Sequence, residues 1–182
     1  MTLSEYISAA QAAAAETGER TGRQMVLAVD CSSSGDATVA NYAVVANHIE
    51  NHGAALSPKT ADKSYIGEGD STLKTGTQRT FDVTGQLLRG DTFHDFVCSH
   101  AIKYGVGSAV QRNYVYFDPG TGEGESGKVT IIVNKDGAAG ASDPADLDVR
   151  LAVVGIPEEY EYSSGSSSSG SGSSGSGSGS GT

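Results

Sequence analysis

Basic residues are scarce in this chain: 12 Lys and Arg stand against 22 Asp and Glu, a formal charge of −10. A surface that grips nucleic acid needs clustered Lys and Arg, so the balance argues against that class. It does not argue against a wall past which DNA slides, because negative charge repels phosphates. Solubility is the plainer use of the same acidity. No apolar run approaches the roughly 18 residues of a membrane-spanning helix. The opening MTLSEYISAAQAAAAETGER has no basic start or long apolar core, and it carries Glu5, Glu16 and Glu19, so it does not read as a secretion signal. The expectation is a soluble protein made in the cytoplasm, with no membrane contact. Only two cysteines are present, Cys31 and Cys98. They are expected as free thiols, Cys98 packed on a helix and Cys31 at the end of a strand, since Cys commonly behaves as a small buried hydrophobe. Aromatics are almost missing from the segments between predicted strands, Tyr65 excepted, which weighs against a ligand-binding module.

What is present divides into three parts. Residues 1–22 form an N-terminal arm: Ser4 caps a short Ala-rich helix over about 5–16, with Gly18 beyond its end. Residues 23–162 form one β-rich domain, long enough to bury a core without staples. Residues 163–182 are all Ser, Gly or Thr. They carry no apolar side chain to offset ordering entropy and read as a disordered tail.

Within the domain, strands are predicted over 24–30, 42–46, about 48–56, 79–86, 108–117, 128–134 and 147–154. The stretch 79–86 alternates Phe81 and Val83 against Asp82 and Thr84, as a half-buried strand should. Asp91 caps a helix over 92–104, with Phe93, Phe96, Val97 and Ala101 on one stripe and Gly105 closing it. Leu147, Val149, Leu151 and Val153 fall on one face of the last strand. Segment 57–78, SPKTADKSYIGEGDSTLKTGTQ, is polar and Gly- and Thr-rich. It reads as a long inter-strand loop, and loops of that length inside a compact domain are usually functional or disordered. The fold class is mainly β (α+β): a β-sandwich or flattened barrel of about six to eight strands, with one principal flanking helix.

Several patterns look chemical and are better explained otherwise. The segment GEGESGK at 122–128 matches part of a phosphate-binding loop, and Gly122, Gly124 and Gly127 match GxGxxG. Such loops need a following helix N-terminus, whereas VTIIVN is a β pattern, and Glu123 and Glu125 repel an anion. His94, Cys98 and His100 invite a metal, but three or four convergent ligands are required. His48 and His52 lie on a predicted strand, where side chains four apart stand roughly 13 Å from each other. Asp136, Asp143, Asp146 and Asp148 lack the spacing of a calcium loop. Arg89-Gly90-Asp91 spells RGD, yet the turn and the helix cap account for it. No Ser occupies a nucleophile elbow. Neither an enzyme, nor a cofactor, nor a metal is expected.

The order of elements resembles the major tail-tube proteins of siphophages. The likeness covers about 24–162 and rests on RTFDVTGQLLRGDTFHDFV after a long polar segment, on NYVYFDPGTGEGESGKVTIIVN, and on DPADLDVRLAVVGIPEEY with Val153, Val154, Gly155 and Pro157. The resemblance implies a structural virion protein that assembles with itself into stacked, hexameric rings, a tube through which genomic DNA leaves the capsid without specific binding. It also implies tape-measure, tail-terminator and baseplate proteins as partners, and a place in the virion tail after assembly in a bacterial cytoplasm. On that expectation Asp82, Glu123, Glu125, Asp136, Asp143 and Asp148 are candidate lumen acids. Lys59, Tyr65, Ile66, Glu68, Asp70 and Lys74 are candidates for an inter-ring loop. The alternatives are the tube of a contractile injection system, which resembles phage tubes in fold, and a monomeric β-sandwich decoration or receptor-binding module.

Overall fold

Seven strands pair into one antiparallel sheet in the computed structural model, which describes residues 3, 6, 7, 25–67 and 69–162. In chain order they are β1 (Val26–Val29), β2 (Ala43–Val44), β3 (Ile49–Tyr65), β4 (Gly69–Gln86), β5 (Gln111–Phe117), β6 (Glu123–Ala138) and β7 (Asp146–Glu161). Their spatial order is β2-β1-β5-β6-β7-β4-β3, so the sheet is open at both edges. The mainly β architecture with a flanking helix is therefore as the sequence predicts. The helix at 5–16 and the tail at 163–182 fall largely or wholly outside the described residues. Of the former, Tyr6 and Ile7 are helical, and Ile7 is buried.

Period-two alternation gives the sheet two cores, one on each side. Phe81, Val83, Val129, Ile131, Val149 and Leu151 share one side with Leu27, Val29 and Tyr114. That side is roofed by α1 (Thr92–Val97) and α2 (His100–Lys103), which contribute Phe93, Val97 and Ile102. On the opposite side of β1 and β5 lie Val26, Ala28, Val115 and Phe117, covered by Leu3, Ile7 and Tyr42. Phe117 also stacks on Tyr162, 5.2 Å between centroids.

Three expectations are corrected. The single helix over 92–104 is two short ones, because Ser99 is extended (ψ 147°) and restarts the chain as an N-cap. Val97, Cys98 and Ser99 are all weaker helix formers than Ala or Leu, so intrinsic preference does little to carry the run through this point. The turn at 118–127 is shorter, with β6 starting at Glu123, so GEGESGK lies along a strand and no helix follows it. Segment 57–78 is not a structureless loop. It is the distal half of the β3–β4 hairpin, paired from Ser57↔Gln78 to Tyr65↔Gly69 with one register shift at Lys59/Thr60. Its backbone groups are satisfied by the ladder, and neither face is buried, which is why no alternation marks it in the sequence.

Candidate functional site

Beyond Thr130, β6 no longer pairs with β5, and beyond Thr80 towards the arm β4 no longer pairs with β7. Between these points β6, β7, β4 and β3 form a four-stranded section whose helix-bearing side is core. Its other side is open. Side chains directly opposite one another in a ladder share a face, so the register fixes the rows of this face. The first is Thr130, Ala152, Thr80 and Ala55. The second is Ile132, Arg150, Asp82 and Gly53. The third carries Lys135, Asp148, Thr84 and Asn51, and a register shift in β6 there also lets Asn134 donate Nδ2 to Asp148 Oδ1 at 3.1 Å. Arg150 Nε stands 3.2 Å from Asp82 Oδ1, both side chains half exposed. Lys128, opposite Val154, lies at the margin.

The face is polar and close to charge-balanced: Asp82, Asp146 and Asp148 stand against Arg150, Lys135 and, at the margin, Lys128. The acidity of the chain is concentrated elsewhere, at the far end of the β6–β7 ribbon. There Glu123 stands opposite Glu161, and Glu125 opposite Glu159.

The six acids predicted to act together are thus divided. Asp82 and Asp148 share the open face. Glu125 is on the helix side, where Arg79 Nε approaches its Oε1 at 2.7 Å and Tyr114 donates its hydroxyl at 3.3 Å. Burial, and then the charge of Glu125, push the Tyr114 phenol upward. Asp136 is also on the helix side, 2.7 Å from Lys103 Nζ, and the hydrogen bond from that ammonium lowers its carboxyl below the usual range. Glu123 begins β6, and Asp143 lies in the turn before β7.

The second feature is the arm. Leu56 to Tyr65 on β3 pairs only with Gly69 to Arg79 on β4, with Gly67 and Gly69 at positive φ turning the tip. Lys59, Tyr65, Ile66, Asp70 and Lys74 all lie on it, solvent-exposed. Glu68 lies outside the described residues. Leu56, Ile66 and Leu73 are apolar and largely exposed. At the root, arm and β6–β7 ribbon diverge around a cleft of about 560 Å³ lined by Leu56, Arg79, Glu125 and Ile156, with Gln78 Nε2 donating to the Val153 carbonyl at 2.8 Å. The sequence signal for Arg150 was available, since LDVRLAVV places it opposite Val149 and Leu151. The free strand edges carry no such signal.

The metal-like residues are accounted for locally. Leu88 N–H donates to His94 Nδ1 at 3.1 Å, so Nε2 carries the proton and donates to the Asn47 carbonyl at 2.8 Å. Asp146 stands 3.5 Å from Lys135 Nζ on the same face of β7 as Asp148, while Asp136 is turned to Lys103. Among the described residues, no group of three or more His, Cys, Asp or Glu is placed to hold a metal ion. Asp91 of the RGD triplet is buried, accepting from Phe93 N–H, His94 N–H and Asn47 Nδ2. Cys31 and Cys98 are both free thiols, partly buried.

No protein-family model matches the sequence, and no curated protein sequence matches it. Solved structures do. A chain from the tail of an empty gene transfer agent particle, determined with C6 symmetry, superposes with a TM-score of 0.55 at 15% identity, covering 77% of this chain and 98% of that one. A chain from the virion of a native gene transfer agent particle gives 0.52 at 12% identity, with 78% and 98% covered. At these identities the likeness establishes a shared fold. That fold class is an open antiparallel sheet with a helical roof and a long two-stranded arm.

Proposed function

We propose that this chain is the subunit of a phage-type tail tube. The observation that carries the reading is the four-stranded section β6-β7-β4-β3, with one face open and polar and both edges unpaired. Edges of this kind are an aggregation hazard unless something closes them. Ring closure does so: β3 of one copy lies beside β6 of the next, and four alternating strands per subunit keep every junction antiparallel. A cyclic arrangement of identical, heterologous contacts closes without leftover edges. The C6 symmetry of the similar tail particle makes six the natural number of copies.

In that ring the helices face outward, and the open faces join into the wall of a bore. Duplex DNA passes along a surface that offers it little net positive charge, so transit on ejection is governed by shape rather than affinity. The arm projects from one end of the ring and supplies the contact to the ring stacked there. Tape-measure, terminator and baseplate proteins are the partners this role requires, and the virion tail is its place. Negative-stain electron microscopy of the purified protein over a concentration series, with and without sonicated tube seeds, tests the reading. Rings or hollow tubes of uniform width are expected. Single-subunit particles under every condition refute it.

A further inference from the structure

The open face carries a group that a DNA conduit should avoid. Arg150 is the one guanidinium among the described residues of this face, it is half exposed, and it sits in the middle row. Guanidinium groups are the preferred partners of phosphate, matching its geometry with two parallel donors. Repeated around every ring of a stack, an uncompensated Arg150 presents a ladder of phosphate-binding sites to a duplex. Its cross-strand partner is Asp82, in direct register, with Oδ1 3.2 Å from Arg150 Nε. An exposed pair of this kind contributes little to folding. Its flanking neighbours Thr80 and Thr84 show that a β-branched residue suits this strand, so the carboxylate is not needed to form β4.

Resting on the reading of this face as the wall of a bore, we infer that Asp82 is a guard residue: it neutralises Arg150 and keeps transiting DNA from being gripped. The role belongs to the charge at this one position, not to the overall acidity of the chain. Of the other acids of the face, Asp148 is bonded to Asn134 and Asp146 is paired with Lys135, which leaves Arg150 to Asp82.

The test is co-sedimentation of assembled protein with a short fluorescent duplex across a salt series. Electron microscopy of each preparation reads assembly separately. Asp82→Asn tubes are expected to retain duplex at least roughly tenfold better than wild type at 50 mM salt, with the excess gone by about 200 mM, as phosphate contacts behave. Asp82→Asn combined with Arg150→Gln is expected to return to wild-type retention. Asp95→Asn, the same loss of charge on the helix side, is expected to change nothing. If Asp82→Asn fails to assemble, Asp82→Thr takes its place. Assembled Asp82 variants that retain no more duplex than wild type overturn the inference while leaving the tube reading intact. Equal retention by Asp95→Asn also overturns it, by assigning the effect to net charge. Wild-type protein that never assembles removes the tube reading, and the inference with it.

Discussion

Shortening the arm tests folding and stacking separately, because on the proposed reading the arm serves the contact between rings and belongs to neither core. Beyond Ala55↔Thr80, the last point where β7 backs the hairpin, β3 continues from Leu56 to Tyr65. Ten residues at about 3.3 Å each give a projection of about 33 Å. Lys59 and Gly76 face one another in register, so replacing residues 60–75 with Asn-Gly closes the hairpin there with a favoured two-residue turn. The change removes about 20 Å of arm, the span of residues 60–65. None of the deleted residues belongs to either core. The expected stability change is that of surface substitutions, within about 0.5 kcal/mol, or a shift in Tm of no more than about 2 °C for a domain of this size. Thermal unfolding by circular dichroism measures this. Electron microscopy and sedimentation velocity measure assembly, with isolated rings or subunits expected and no tubes. Tubes of ordinary length from the shortened protein refute the assignment of stacking to the arm. Loss of cooperative unfolding refutes the claim that the arm is energetically separate.

Other predictions concern the body of the fold. A Cβ on Gly124 lies 2.3 Å from Phe117 Cβ and 2.3 Å from the Tyr116 carbonyl oxygen, so Gly124→Ala should destabilise by about 3 kcal/mol, the top of the usual overpacking range, read as a lower urea midpoint. Asp91→Ala removes a helix cap and strands the Asn47 amide. Cap and unpaired donor together cost about 2–3 kcal/mol, and Asp91→Asn should recover part of that, since it still accepts from Phe93 N–H. Burial, and then Asp30, raise the Cys31 thiol from 9.0 to about 12. A raised folded value means its stabilisation is complete below about pH 9 and is lost as pH rises toward 12, at up to about 1.4 kcal/mol per pH unit. Denaturant midpoints between pH 8 and 11 should fall for wild type and fall less for Cys31→Ala; an identical slope in both counts against the assignment.

How much of this was legible in the sequence depended on whether one side of a strand meets the core. TFDVT and LDVRLAVV are backed by core on one side and water on the other, so their alternation revealed both strand and face. The arm has water on both sides, so its sequence shows only Thr- and Gly-rich polarity without alternation, the pattern of a loop. The helix break depends on the extended backbone at Ser99, which a stripe of apolar residues does not reveal. The dispersal of the six acids depended on register. Asp82 and Asp148 meet through β4–β7 pairing, while Glu125 and Asp136 turn toward Arg79 and Lys103. Pairing partners brought together from 46 and 33 residues away leave no local trace.

The same alternation makes the proposed function separable from the fold. On β4 the core residues Phe81 and Val83 bracket Asp82, and on β7 Val149 and Leu151 bracket Arg150, so adjacent residues serve different tasks. Truncating a core member such as Phe81 to Ala removes a fully buried ring and costs about 3–5 kcal/mol, a large part of a domain's stability. The residue beside it changes the charge of the open face at almost no cost to folding. A strand used this way can vary its exposed side freely while its buried side holds the sheet. The chemistry of the proposed channel and its assembly contacts therefore have to be read from the exposed rows and free edges of the sheet, because the architecture alone leaves them open.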